Sequence, residues 1–97
     1  MPQFILLCRD KPDSLALRME TRPAHLEYFQ SFGNKLNLAG PMLDDKGDPI
    51  GSLLIVEAAD EAAAREIAAN DPYNKAGLFA KADVMPFKTV IANFAKD

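Results

Sequence analysis

At 97 residues the chain is sized for one domain, residues 1–97, with a single modest core of the kind often helped by pairing with a second copy. Apolar residues make up 48% and charged residues 26%, which excludes intrinsic disorder, and no apolar run approaches the roughly 18 residues of a membrane-spanning helix. A net charge of −3 with eleven scattered Lys and Arg argues against a nucleic-acid surface, which needs a basic stripe, and leaves small molecules or other proteins as partners.

Phe4-Ile5-Leu6-Leu7-Cys8 is closed by Arg9-Asp10-Lys11 without a basic leader or a small-residue cleavage site. It reads as a first strand, central or buried on both faces, rather than as a signal peptide. One cysteine excludes an internal disulfide, and one Cys with one His cannot form the usual closed zinc site. No metal is expected, and a reducing, cytoplasmic setting is the default.

The turn Asp10-Lys11-Pro12-Asp13-Ser14 lets Asp13 or Ser14 cap a short helical turn through Leu15, Leu17 and Arg18. Pro23, suited to a first helical position, predicts a helix over about Pro23 to Leu36 with Thr21 or Arg22 as N-cap. Leu26, Phe29, Phe32 and Leu36 form its apolar stripe, bordered by His25. Leu36 to Pro41 then alternates as a strand that Gly40-Pro41 ends or bends, and Leu43 to Pro49 is a polar turn. Gly51 to Glu57 is a β-branched strand, and Asp60 caps a helix over Glu61 to Ala69. Asn70-Asp71-Pro72-Tyr73 breaks that helix and opens a short one through Leu78. Lys81 to Phe94 reads as extended, with Pro86 at an edge or bulge. The order strand, helix, strand, strand, helix, strand predicts an α+β, ferredoxin-like βαββαβ fold with an antiparallel sheet.

His25 is where chemistry is most legible, since imidazole exchanges a proton near neutral pH. Taken alone it also fits a histidine bonded to a backbone carbonyl at a helix flank, and Asp71 fits a plain N-cap before Pro72. Arg18 and Arg22, four apart, would share a face of a continuous helix and could clamp an anion, although Pro23 interrupts that continuity. The alternative is surface pairing with Asp10, Asp13 or Glu20. Ser14 is a pocket hydroxyl or a cap, and Tyr73 offers a phenol at the rim of a core position. Cys8 reads as a small buried apolar residue, and Gly40-Pro41 and Gly51 as turn residues rather than a phosphate loop.

In this order, Asp10-Lys11 to Ser14-Leu15, Arg18, Arg22-Pro23-Ala24-His25, Ala39-Gly40-Pro41, Asp71-Pro72-Tyr73 and Pro86-Phe87 resemble the YciI-like, or YCII-related, family over nearly the whole chain. The resemblance implies a ferredoxin-like fold paired into a dimeric α/β barrel, hence a homodimer, and an active site of a histidine and an aspartate, here His25 and Asp71. One characterised type in that family eliminates chloride from a chlorinated hydroxyquinol. The expectation is a small enzyme without cofactor, of lyase, isomerase or hydrolase type. In it His25 acts as general base or acid oriented by Asp71 on a small polar or aromatic metabolite, with Arg22, Ser14, Tyr73 and Arg18 as binding candidates. The alternatives are a non-catalytic small-molecule-binding or interaction module and, by fold analogy alone, a monooxygenase-like role. The acidic turn with Asp44, Asp45 and Asp48 departs from the family pattern and would alter substrate choice if it shapes the pocket.

Overall fold

Alternation along Gln3–Asp10 sets the architecture. This strand, β1, buries Phe4, Leu6 and Cys8 and leaves Ile5 and Leu7 half-covered, the period-two pattern of a sheet with helices on one face. In the computed structural model, which describes residues 1–94, the next elements are a helix α1 (Leu15–Gln30) and a strand β2 (Leu36–Leu43), joined by a 3-10 turn at Gly33–Lys35. Strand β3 (Pro49–Glu57), helices α2 (Glu61–Ala69) and α3 (Pro72–Lys75), and strand β4 (Phe79–Phe87) complete the chain. The last three positions of the expected 1–97 span lie outside the described residues. The four strands form one antiparallel sheet in the order β2-β3-β1-β4, so the fold is α+β and ferredoxin-like. No helix among the described residues is long and apolar enough to cross a membrane.

The core fills the space between the helices and one face of the sheet. Leu54 and Val56 of β3 join Phe4 and Leu6 of β1, with Phe29 of α1 and Leu78 closing it. Asp60 caps α2 by accepting the Ala63 N–H at 2.8 Å, and the small side chains of Ala64 and Ala68 let this helix settle on β1 and β4. Tyr28 of α1 donates its hydroxyl to the Ile67 carbonyl at 3.0 Å, tying the two long helices together. Pro86 lies in β4, an edge strand paired only with β1, where its missing N–H costs no ladder bond.

Several expectations need correction. Helix α1 runs unbroken from Leu15 through Pro23 to Gln30, so Thr21 and Arg22 are interior residues and the N-cap position belongs to Ser14. Pro23 is exposed, and contacts on both sides of it, described below, hold the helix together. The stripe is also displaced: His25 and Phe29 are buried, whereas Leu26 is exposed, Phe32 follows the helix and Leu36 starts β2. Gly40-Pro41 does not end β2, which continues to Leu43, and residues 88–94 lie in no strand.

Gly51 is not a turn residue but a buried position of β3, paired with Arg9 of β1 and Met42 of β2. A β-carbon there would lie 2.5 Å from the Cys8 carbonyl oxygen and would also strike the Met42 side chain, so the close strand approach requires glycine. Gly51→Ala is expected to destabilise the fold by about 1–3 kcal/mol through forced backbone movement. Urea denaturation followed by circular dichroism checks this, and an unchanged midpoint would show that the strands part without cost.

Candidate active site

The inward stripe of α1 carries two polar residues, Arg18 and His25, both buried. A buried imidazole needs a partner, and α3 supplies it. Pro72 stands at the first position of that short helix with Asp71 as N-cap, and Asp71 Oδ1 accepts both the Tyr73 N–H at 2.9 Å and a contact from His25 Nδ1 at 3.0 Å. Asp71 is 1% exposed and His25 8%. An ionised carboxylate only accepts, so the hydrogen-bond network assigns the proton to Nδ1 and leaves Nε2 free as an acceptor. The imidazole stacks on Tyr73, with ring centroids 4.0 Å apart, and tilts against Phe29 at 5.0 Å.

Two turns earlier on α1, Arg18 is locked by a buried ion pair. Its Nε donates to Asp10 Oδ2 at 2.6 Å, and Nη2 donates to Asp10 Oδ1 at 3.1 Å and to Ser52 Oγ at 2.7 Å. The guanidinium carbon lies 4.5 Å from the centroid of the Tyr73 ring, a cation–π distance. The pairing with Asp10 considered from sequence exists, but in the interior rather than at the surface.

A cavity of about 370 Å³ opens between α1 and the β2–β3 hairpin, walled by Arg18, Arg22 and His25 on one side, by Pro41, Ser52 and Leu54 on the other, and by Tyr73. The structure thus brings His25, Arg18, Arg22 and Tyr73 to one cavity, with Asp71 directly behind the imidazole. Arg22 is exposed and forms no ion pair among the described residues. Ser14 is not brought there. Its hydroxyl donates to the Pro12 carbonyl at 3.3 Å without capping the helix, and it lines a separate cavity of about 290 Å³ with Asp10, Asp44 and Asp48. The acidic turn therefore shapes that second cavity and not the one at His25.

Ser52 went unnoticed in the sequence although a signal existed. It occupies the same phase as the buried Leu54 and Val56, and a serine on the buried side of a strand implies a polar partner inside. Burial pushes the Tyr73 phenol above its usual value, with Arg18 and Arg22 opposing and Asp71 and Asp10 reinforcing. Burial, with Asp71 and Asp10 adding, pushes the Cys8 thiol up to about 12, which leaves it a protonated packing residue. Among the described residues no three His, Cys, Asp or Glu side chains are grouped as metal ligands.

The YCII-related domain matches residues 2–88. The chain belongs to the YCII-related family. Protein YciI of Escherichia coli O6:H1 is 39% identical over 95 residues, covering 90% of this chain and 97% of that protein. An uncharacterized protein of Haemophilus influenzae is 34% identical over the same shares. Among solved structures, the 5-chloro-2-hydroxyhydroquinone dehydrochlorinase TftG of Burkholderia phenoliruptrix AC1100, in complex with 2,5-dihydroxybenzoquinone, is 36% identical. It superposes with a TM-score of 0.82 over 89% of this chain and 93% of its own. An antibiotic biosynthesis monooxygenase, 18% identical, shares the fold, with a TM-score of 0.57 over 94% of this chain and all of that one.

Removing one member of a buried ion pair strands the other without solvent. Asp10→Asn is expected to cost about 3–5 kcal/mol of unfolding free energy, checked by urea denaturation, whereas the exposed pair Arg65–Glu61, cut by Glu61→Gln, is expected to cost under about 1 kcal/mol.

Proposed function

We propose that this protein is a small-molecule enzyme that works by proton transfer through His25, without a cofactor, as a lyase, isomerase or hydrolase acting on a small hydroxylated, aromatic-like metabolite. The observation that carries the reading is the 3.0 Å contact of His25 Nδ1 with an Asp71 carboxylate that is almost fully buried, on the wall of a cavity of suitable size for such a ring. The likeness to TftG, whose name gives it a chlorinated hydroxyhydroquinone to act on and whose structure holds a dihydroxybenzoquinone, supports the same substrate class.

In the proposed step Nε2 takes a proton from a hydroxyl or an acidic C–H of the bound ring. The electron pair of the broken bond stays on the substrate and moves into the ring. In an elimination it drives out a leaving group with its bonding pair, and in an isomerisation the imidazolium returns the proton to a different atom. Asp71 fixes the tautomer that makes Nε2 the base, and it stabilises the imidazolium that forms.

The sheet face opposite the helices bears on assembly. Ile5, Leu7, Leu53 and Ile55 are only half-buried there and Met85 is exposed, and no described helix lies over them. We propose that a second copy of this chain covers this face and makes the protein a homodimer, as the family resemblance implies. Sedimentation velocity is expected to give about twice the 10.6 kDa chain mass, and Leu7→Glu is expected to shift it to the monomer. A wild-type monomer at all concentrations sinks this part of the reading.

The catalytic part is tested with 5-chloro-2-hydroxyhydroquinone and related hydroxyquinols as trial substrates. His25→Gln is expected to lower kcat by roughly 10²–10⁴, and Asp71→Asn to lower it while the Nδ1–H tautomer, read from ring ¹⁵N shifts, loses population. Recovery of every stabilising ligand unchanged, with full activity lacking in all trials, favours the binding-module alternative.

A further inference from the structure

The polar atoms that open onto the main cavity are unequal in kind. Arg18 commits Nε and Nη2 to Asp10 and Ser52, and its Nη1 has no hydrogen bond to the described residues. Neither does the Tyr73 hydroxyl. Since no buried side-chain nitrogen or oxygen among the described residues lacks a partner, these two atoms reach open space, and the space their residues line is this cavity. Tyr73 is 1% exposed, so nearly the whole side chain is enclosed and its phenol still has a bond to make. Ser52 Oγ accepts from Arg18, which leaves its own proton available as a donor. No Asp or Glu among the described residues lines the cavity, although the chain as a whole carries a charge of −3.

From this juxtaposition we infer that Arg18 Nη1, the Ser52 hydroxyl and the Tyr73 hydroxyl form an oxyanion site, which holds the negatively charged oxygen of a phenolate or enolate while His25 handles the proton. The inference rests on the reading of His25 as the base and adds what becomes of the charge. When Nε2 forms its bond to hydrogen, the electron pair left on the substrate collects on an oxygen. Donors held in place by the fold stabilise that oxygen with little reorganisation. Arg18 and His25 both touch the ring of Tyr73, at 4.5 and 4.0 Å from its centroid, so base and donors are within reach of one small ring. Burial raises the Tyr73 phenol, which keeps its proton in place as a donor. The Asp10 carboxylate holds the guanidinium in a fixed orientation, a positioning role. Arg22, further out, adds charge at the mouth. The substrate class is thereby narrowed to acidic phenols and enols, and neutral rings of equal size are disfavoured.

The probes are para-nitrophenolate and para-nitroanisole, which share a ring and differ in whether an anionic oxygen is present. Binding is measured by calorimetry at a pH where the phenol is ionised. Wild-type protein is expected to prefer para-nitrophenolate by about tenfold to a hundredfold, the range for hydrogen bonds to a charged group. Tyr73→Phe, which keeps the stacked ring, and Ser52→Ala are each expected to weaken para-nitrophenolate binding about tenfold while leaving para-nitroanisole unchanged, which also shows that each variant is folded. His25→Gln is expected to keep the preference. Equal affinities in wild type, a preference untouched by Tyr73→Phe and Ser52→Ala, or a preference that vanishes in His25→Gln each overturns the assignment. Turnover of the His25→Gln variant decides the proton-transfer reading separately, because the binding probes undergo no reaction.

Discussion

Burying an arginine and a histidine on one stripe of a helix obliges the rest of the fold to bring carboxylates to meet them. Removing a guanidinium from water costs several kcal/mol unless an opposite charge and further hydrogen bonds replace it. The end of β1 supplies Asp10 and the start of β3 supplies Ser52. Two turns along α1, the cap of α3 supplies Asp71. These contacts fix α1 against both ends of the structure, and they explain why Pro23 between them neither ends nor starts the helix. The lost bond to the Met19 carbonyl falls on an exposed stretch open to water. The helix is held by what it buries at Arg18, His25 and Phe29, not by local propensity.

That balance decides what could be read from sequence. Strands β1 and β3 and helix α2 are legible because their signals are local: alternation in Phe4 to Cys8, β-branched residues in Leu53 to Val56, and Ala and Glu behind a capping Asp60. The ferredoxin-like order follows from them. Helix α1 misleads because the local rule for proline is sound and the tertiary contacts override it. Arg18 misleads in the same way, since an arginine followed by Met19 and Glu20 looks like surface until Asp10 is known to face it. His25 and Asp71 are 46 residues apart, and no spacing rule joins them. Their residue types were visible and their proximity came only through family resemblance. Asp71 illustrates that capping a helix and meeting an imidazole need not compete, because one carboxylate oxygen accepts the Tyr73 N–H of α3 and also contacts His25.

The charge arrangement around the cavity follows from the same economy of partners. Among the described residues the acids Asp71 and Asp10 stand behind the lining, engaged with His25 and Arg18, and the polar part of the lining is Arg18, Arg22, His25, Ser52 and Tyr73 amid apolar residues such as Leu26 and Leu54. Asp10 and Asp71 balance the two arginines in number, but they face away from the cavity, so the groups a ligand meets there are not the acids that give the chain its charge of −3. At distances of a few ångströms these fixed groups outweigh the diffuse surface charge, which solvent screens. An overall acidic chain is thus compatible with an anionic ligand.

Sheet geometry lets this site coexist with the proposed assembly surface. Side chains alternate along a strand, so Ser52 and Leu54 look toward α1 and the cavity while their neighbours Leu53 and Ile55 look toward the uncovered face. In the proposed dimer the second copy would therefore cover Leu53 and Ile55 without entering the cavity. Its effect on the site would travel through the backbone of β3, by restraining the strand that carries the Arg18 acceptor. The tight approach of Gly51 to Cys8 at the next position already limits how far that strand can shift, so covering the open face would add rigidity where the donor group is anchored. In that proposal the surface for assembly and the surface for ligand lie one residue apart along the same strand.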